Sequence, residues 1–320
     1  MSPSRFRSKR REQESIPLVL ALLGLLAAAA TPLALTGCKT IQAGAGAVRR
    51  AAAGTPIGTL AGGIEASAEA LRDYQPSEEH YIGRAVAAEI LSLYEVSRDQ
   101  ALQDYVNLIG QVVAAAPEVK KTFTGYHFVV LEGEELQAVS TPGGFVFLTE
   151  GTVRRARDED ELASVLAHEV AHVTLNHGIK SIKGETTKKA ILLLMQGAGE
   201  AATQVTTGES KQLVELTSVF GNAIGDITGT ILTRGYSRES ELEADQLATK
   251  LLDASGYARS ALASYLRATG AEKGGAGKGG GWTSTHPKPE DRIAELGDLG
   301  PAAVVGRDVR KQRFAAQLDG

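Results

Sequence analysis

The stretch Asp158-Glu159-Asp160-Glu161-Leu162-Ala163-Ser164-Val165-Leu166-Ala167-His168-Glu169-Val170-Ala171-His172-Val173 decides how this chain is read. Four acidic residues open it, where a helix dipole favours negative charge, and Asp158 and Glu161 have capping-box spacing. From Leu162 to Leu175 the residues are mostly Leu, Val and Ala on every side. That pattern predicts a helix buried all round. Gly178 is the expected C-terminal stop. Residues four apart share a helix face, so His168 and His172 offer both imidazoles to one point, with Glu169 beside the first. Polar groups inside a buried helix need partners. Two imidazoles and a neighbouring carboxylate match what a zinc ion and its water need, two ligands and a general base. The alternative, two histidines packed in an ordinary core helix, leaves those groups unsatisfied.

Upstream, Tyr126 to Leu131 and Phe145 to Thr149 are β-rich runs, with the turn signal Thr141-Pro142-Gly143-Gly144 between them. They predict a small sheet beside the motif helix. Its edge either belongs to the core or is exposed to hold an extended peptide by strand addition. Two helical patterns precede it, around Ile82 to Tyr94 and around Leu102 to Val113. Pro76-Ser77-Glu78-Glu79 starts the first and Pro117 closes the second. His80 reads as a surface histidine and His127 as an ordinary strand residue. His177 comes five positions after His172, so a continuing helix rotates it well away from the His168–His172 face. Its place near a helix C-terminus suits a structural role.

Downstream, residues 181–236 read as Gly-interrupted helices, with a lid as one role for them. Leu213 to Leu232 has membrane-like length but contains Glu215 and Asp226, so no transmembrane helix is expected there. Ser237 begins a second informative helix. Ala244, Leu247, Ala248, Leu251 and Leu252 share one face of it, and Glu243, Gln246, Lys250 and Asp253 the other. Glu241 falls within the apolar face and Asp245 at its edge. A carboxylate on a core-facing stripe is unusual, because acidic residues are rarely buried unless paired. A solvated charge run suits Glu239 and Glu243 but suits Glu241 poorly. Gly274 to Gly281 is a flexible linker by composition, and Trp282 after it reads as a packing anchor.

The first 37 residues read as a targeting segment. Arg5, Arg7, Lys9, Arg10 and Arg11 are followed by an uncharged, Leu- and Ala-rich run ending Leu35-Thr36-Gly37-Cys38. Cys38 is the one cysteine of the chain, which excludes intramolecular disulfides and cysteine-rich zinc sites. The ending resembles the lipobox of bacterial lipoproteins, which implies lipidation at Cys38. An uncleaved membrane anchor is the other reading. Both put the rest of the chain outside the cytoplasm. Residues 38–75 are an Ala/Gly-rich tether. Without the five basic and two acidic residues before Cys38 the formal net charge moves from −4 to −7, which argues against nucleic acid as a partner. Hydrophobic residues at 43% and charged residues at 22% are those of a globular protein.

Taken together, His168-Glu169-x-x-His172 with Glu241-x-x-x-Asp245 resembles the gluzincin pattern. More closely, the chain is similar to the CAAX prenyl protease/HtpX/BepA family of zinc metallopeptidases. Thr141-Pro142-Gly143-Gly144, His168 to Val173, Ser237-Arg238-x-x-Glu241-x-x-Ala244-Asp245, and Ser284-Thr285-His286-Pro287 with Arg292 all resemble family segments, over about residues 76–296. The resemblance implies an α+β, zincin-like metallopeptidase domain at 76–296, mainly helical, with a small β-sheet beside the HExxH helix. It implies His168, His172 and Glu241 as ligands of one Zn2+, Glu169 as the base, and Asp245 orienting a ligand histidine. His286 and Arg292 are implied at the catalytic site. His286 would either donate to the developing oxyanion or fill zinc's fourth position, and Arg292 would bind substrate backbone or a carboxylate in the site. Protein or peptide substrates in extended conformation are the implied partners, in the bacterial envelope facing the periplasm, with the outer membrane ahead of the inner. Only a short tail, 297–320, follows Leu296, so partner binding through helical repeats is not expected.

Overall fold

The computed structural model describes residues 73–182, 191, 211–270, 286, 288–299 and 305–318. The targeting segment, Cys38, nearly all of the tether, the 274–281 linker and Trp282 lie outside the described residues. The chain divides into two units, Met1–Asp73 with Gly184–Gly221, and Tyr74–Lys183 with Asn222–Gly320. Of the first unit, Asp73, Ile191 and residues 211–221 are described. The second holds the motif helix.

In chain order the elements are α1 (Pro76–Leu93), α2 (Gln100–Ala114), β1 (His127–Leu131), β2 (Ala138–Thr141), β3 (Phe145–Thr149), α3 (Glu150–Arg155), α4 (Glu159–Thr174), α5 (His177–Lys180), α6 (Lys211–Gly229), α7 (Arg238–Ala254), α8 (Ala261–Gly270), α9 (Pro289–Leu296) and α10 (Arg307–Leu318). A π-turn, Thr230–Arg234, follows α6. No helix among the described residues is long and apolar enough to cross a membrane.

The motif helix α4 is the centre of the core. Its N-cap is Asp158, whose side chain accepts from the Glu161 amide at 3.0 Å. Residues from Glu159 to Val173 are all buried. Helices α2, α7, α8 and α10 and strand β2 pack around it. The expected stop at Gly178 is not where the helix ends. Asn176 takes the left-handed conformation (φ 60°) two residues earlier, as asparagine can, and α5 starts at His177.

The sheet has the order β1-β3-β2, with β1 parallel and β2 antiparallel to β3. The two expected strands do pair, but the Pro142–Gly144 turn joins β3 to β2, a strand the β-rich pattern does not reveal. Parallel neighbours cannot be joined by a tight turn. The run Ala-Val-Ser-Thr is only four residues long and has no aromatic residue, so it does not stand out. β2 is an edge strand beside α4, yet all four of its residues are buried, and the π-turn packs against it. His80 is also buried rather than on the surface, its ring against Phe123 and Phe145.

The segment after Leu296 is more than a tail. On α10, Arg307 pairs with Asp158, Arg310 with Asp160 at 2.5 Å, and Arg313 with Glu159. Phe314 is buried against Tyr105. These arginines meet the acidic first turn of α4, which is itself buried.

Helix α1 meets the Pro142–Gly144 turn backbone to backbone. A Cβ on Gly83 would lie 1.7 Å from the Pro142 carbonyl oxygen, and one on Gly143 2.6 Å from the His80 Cα. In a free helix Gly→Ala is stabilising by about 1 kcal/mol. Here Gly83→Ala is expected to destabilise by about 1–3 kcal/mol or more through overpacking. The denaturation midpoint at unchanged slope reads the sign, and a raised midpoint would show that the contact is not close.

Candidate metal centre

Two helices bring the site together. α4 carries His168 and His172 one turn apart, and α7 lies against it with Glu241 facing inward. Ser237 caps α7, accepting from the Ser240 amide at 3.2 Å, which sets the phase of the helix. Glu241, Ala244, Asp245, Ala248, Leu251 and Leu252 are buried, whereas the Glu243 side chain is 58% exposed. The expected helix face is the observed one.

The Nε2 atoms of His168 and His172 lie 3.0 Å apart. Glu241 Oε2 is 3.4 Å from the first and Glu241 Oε1 3.6 Å from the second. His286 brings Nδ1 to 2.5 Å from Glu241 Oε2. One ligand atom from each of these four residues fits within 4.8 Å of the others. Glu169 accepts from Ser140 Oγ at 2.9 Å through Oε2. Its Oε1, like Glu241 Oε1, is buried and has no hydrogen-bond partner among the described residues. Lone-pair atoms crowded together in a dry site are costly unless a cation shares them.

The electrostatics agree. Burial and Arg292 disfavour an imidazolium at His168, but the Asp245 and Glu241 carboxylates outweigh them and lift it to about 9. The site attracts positive charge. Burial holds His172 well below the ordinary histidine range, as suits a neutral ligand. Burial also raises Glu169, against the pull of His168, His286 and Ser140.

Around these atoms is a second layer. Asp245 Oδ1 is 2.9 Å from His168 Nδ1. Arg292, from α9, grips Asp245 with Nε at 2.8 Å and Nη2 at 2.6 Å. Burial alone would raise the Asp245 carboxyl, but the guanidinium draws it down to about 2. Behind His172, His177 Nδ1 stands 2.8 Å from His172 Nδ1, and Tyr236 stacks on the His172 ring at 4.5 Å.

A family model described as Peptidase family M48 matches residues 77–299. The chain belongs to that family. Its members use zinc, and the buried His168, His172 and Glu241 cluster fits that ion. The chain is 27% identical over 248 residues to the beta-barrel assembly-enhancing protease of Escherichia coli, covering 75% of this chain and 49% of the relative. It is 28% identical over 198 residues to the protein of that name in Yersinia pestis, covering 62% and 38%. The mitochondrial metalloendopeptidase OMA1 of Schizosaccharomyces pombe is 31% identical over 167 residues, covering 52% and 44%. The chain thus spans about half or less of the length of these relatives.

The structure gathers His168, Glu169, His172, Glu241, Asp245, His286 and Arg292 in one place. Cys38 lies outside the described residues. One placement differs from expectation. His177 is not turned away from the pair, because the helix it was projected along ends at Thr174 and the chain folds back. Of the two expectations for Arg292, substrate backbone or a carboxylate in the site, the contact with Asp245 matches the second. Ser140 and Tyr236 were not singled out from sequence, although each adjoins a segment that was, Thr141-Pro142 and Ser237-Arg238.

Arg292→Lys keeps a charge but loses the two-pronged grip on Asp245. It is expected to weaken zinc binding about 10–100-fold, since Asp245 would no longer be fixed behind His168. Chelator competition measures this, and wild-type affinity in the variant would show that the pair does not support the ligand.

Proposed function

We propose that this protein is a zinc-dependent endopeptidase that hydrolyses peptide bonds in unfolded or misassembled cell-envelope proteins. The observation that carries the reading is the meeting of two imidazoles and Glu241 beside a buried, half-satisfied Glu169. His168, His172 and Glu241 would hold the metal. When bound, zinc supplies a Lewis acid for the scissile carbonyl and acidifies its water. Glu169 would serve as the general base, taking a proton from the attacking water at the oxygen not bound by Ser140 and returning it to the leaving amine. Ser140 orients the carboxylate by its bond to the other oxygen. Burial raises the Glu169 carboxyl, which favours its taking up a proton. Asp245, with Arg292 behind it, fixes the ring of His168.

Two of the relatives are named for enhancing β-barrel assembly. That name and the N-terminal segment ending at Cys38 support envelope proteins as substrates and a lipid-anchored, periplasm-facing location. β2 is the strand on which an extended substrate would pair. Its burial here favours a latent form, in which β2 must be uncovered before cleavage.

His286 fits that latency. Catalytic zinc sites keep one position open, and structural sites close it with a fourth protein ligand. A donor to an oxyanion stands off at the substrate, but His286 is in contact with Glu241 and belongs to the four-residue cluster. We therefore read His286 as a latch on the fourth position. The rival reading, a zinc-stabilised chaperone with little proteolysis, has no use for a half-satisfied Glu169.

Glu169→Gln is expected to retain zinc and to lose turnover by about 10²–10⁴-fold, since only the base is removed. Metal analysis beside casein cleavage checks both, and unchanged turnover would end the mechanism. His286→Ala is expected to raise basal casein cleavage with zinc still bound. A fall of ~100-fold at full zinc content would instead make His286 an oxyanion donor.

A further inference from the structure

The two histidines of the motif are held in different ways. His168 turns Nδ1 to a carboxylate, Asp245, at 2.9 Å. His172 turns Nδ1 to another imidazole, His177 Nδ1, at 2.8 Å. His177 Nε2 in turn lies 3.3 Å from Glu243 Oε2. We propose that His177 is a positioning residue for the metal site: it accepts a hydrogen bond from His172 and, backed by Glu243, fixes the rotation of that ring. The inference rests on the reading of His172 as a zinc ligand.

One assignment of protons satisfies all three groups. Nε2 of His172 faces His168 and Glu241, so it is the metal-side atom. A neutral imidazole that gives its Nε2 lone pair to a metal carries its proton on Nδ1. The atom facing that proton, His177 Nδ1, must then be the acceptor. The proton of His177 is left on Nε2, pointing at the Glu243 carboxylate. Metal-bound imidazoles need such a partner to set tautomer and orientation. Tyr236 stacks on the face of His172, at an interplanar angle of 23°. Stacking holds the plane of the ring but not its rotation within the plane. The His177 ring stands nearly edge-on, at 71°, and its bond supplies that second restraint.

The backbone is shaped for this contact. The chain leaves α4 at Thr174, and Asn176, at φ 60°, turns it back. A left-handed residue other than glycine costs roughly 1 kcal/mol. The turn is held by a partly buried clamp, in which Lys120 Nζ donates to Asn176 Oδ1 at 2.7 Å and pairs with Glu79 at 2.6 Å. His177 is 2% exposed. A histidine needed only to fill space would not require an aligned donor and acceptor at both ring nitrogens.

The test compares the full-length wild-type protein with His177→Phe, His177→Asn and, as a control, His172→Ala. The asparagine amide oxygen sits near the place of the imidazole Nδ1, so that variant keeps an acceptor. Zinc affinity is measured by competition with a chromophoric chelator, the ligand field by the visible spectrum of the cobalt(II) form, and folding by the melting temperature of the metal-free protein. His177→Phe is expected to weaken zinc binding about 10–100-fold and to alter the cobalt spectrum. His177→Asn is expected to stay close to wild type in both. If His177→Phe does not fold, His177→Ala takes its place. Wild-type affinity and spectrum in His177→Phe, or equal losses in the phenylalanine and asparagine variants, would overturn the proposal. If His172→Ala itself binds zinc as wild type does, the ligand assignment has failed. If His172→Ala loses zinc while His177→Phe keeps it, only the positioning role has failed.

Discussion

Desolvation of α4 is the constraint on which the rest of the structure depends. The helix is buried along its whole length, yet it carries His168, Glu169 and His172, and an acidic turn at its start. Each buried ion left unpaired costs several kcal/mol, enough to consume much of a domain's stability. The neighbouring elements therefore supply partners. α10 brings arginines to Asp158, Glu159 and Asp160. Tyr105 and Tyr257 also reach Glu159, at 2.8 and 3.2 Å. β2 brings Ser140 to Glu169, and α7 with α9 brings Asp245 and Arg292 to His168. The fold can be described as the set of elements needed to satisfy one helix.

That view explains why parts of the chain distant from the motif matter to it. α10 ends the described chain, but its arginines hold the first turn of the helix that presents both imidazoles. Arg292 comes within 3.3 Å of His168 Nδ1, and its shorter contacts are with Asp245. Its effect on chemistry passes through that carboxylate. The same holds on the other side, where Lys120 and Glu79 act on Asn176, and Asn176 sets the direction of His177.

What was legible in the sequence follows from periodicity. The motif helix shows as an apolar run with an acidic start, and Glu241 shows because a 3.6-residue period puts it inward and Glu243 outward. Both readings need only one helix at a time. What failed needed two elements at once or a break in the period. His177 was projected along a helix that Asn176 ends. β2 was invisible because Ala138-Val139-Ser140-Thr141 acquires its strand character from β3. The arginines of α10 spell nothing on their own, and become meaningful only opposite the acidic turn of α4. His80 looked like a surface residue because nothing local shows that Phe123 and Phe145 enclose it.

Charge balance joins the proposed metal to its surroundings. Glu169, Glu241 and Asp245 each bring one negative charge to the buried site, and Arg292 one positive charge. Among these carboxylates and the guanidinium, a divalent cation would close the sum to zero. In a dry environment an uncompensated charge is the most expensive error, and this balance gives Arg292 a reason to be buried beyond gripping Asp245. It also bears on the choice of latch. A carboxylate in the fourth position would unbalance the site each time it left or returned. His286 adds no carboxylate, so as a latch it leaves the count of acidic groups in the site unchanged. On the proposed reading, opening the site would require His286 to leave the fourth position and β2 to be uncovered.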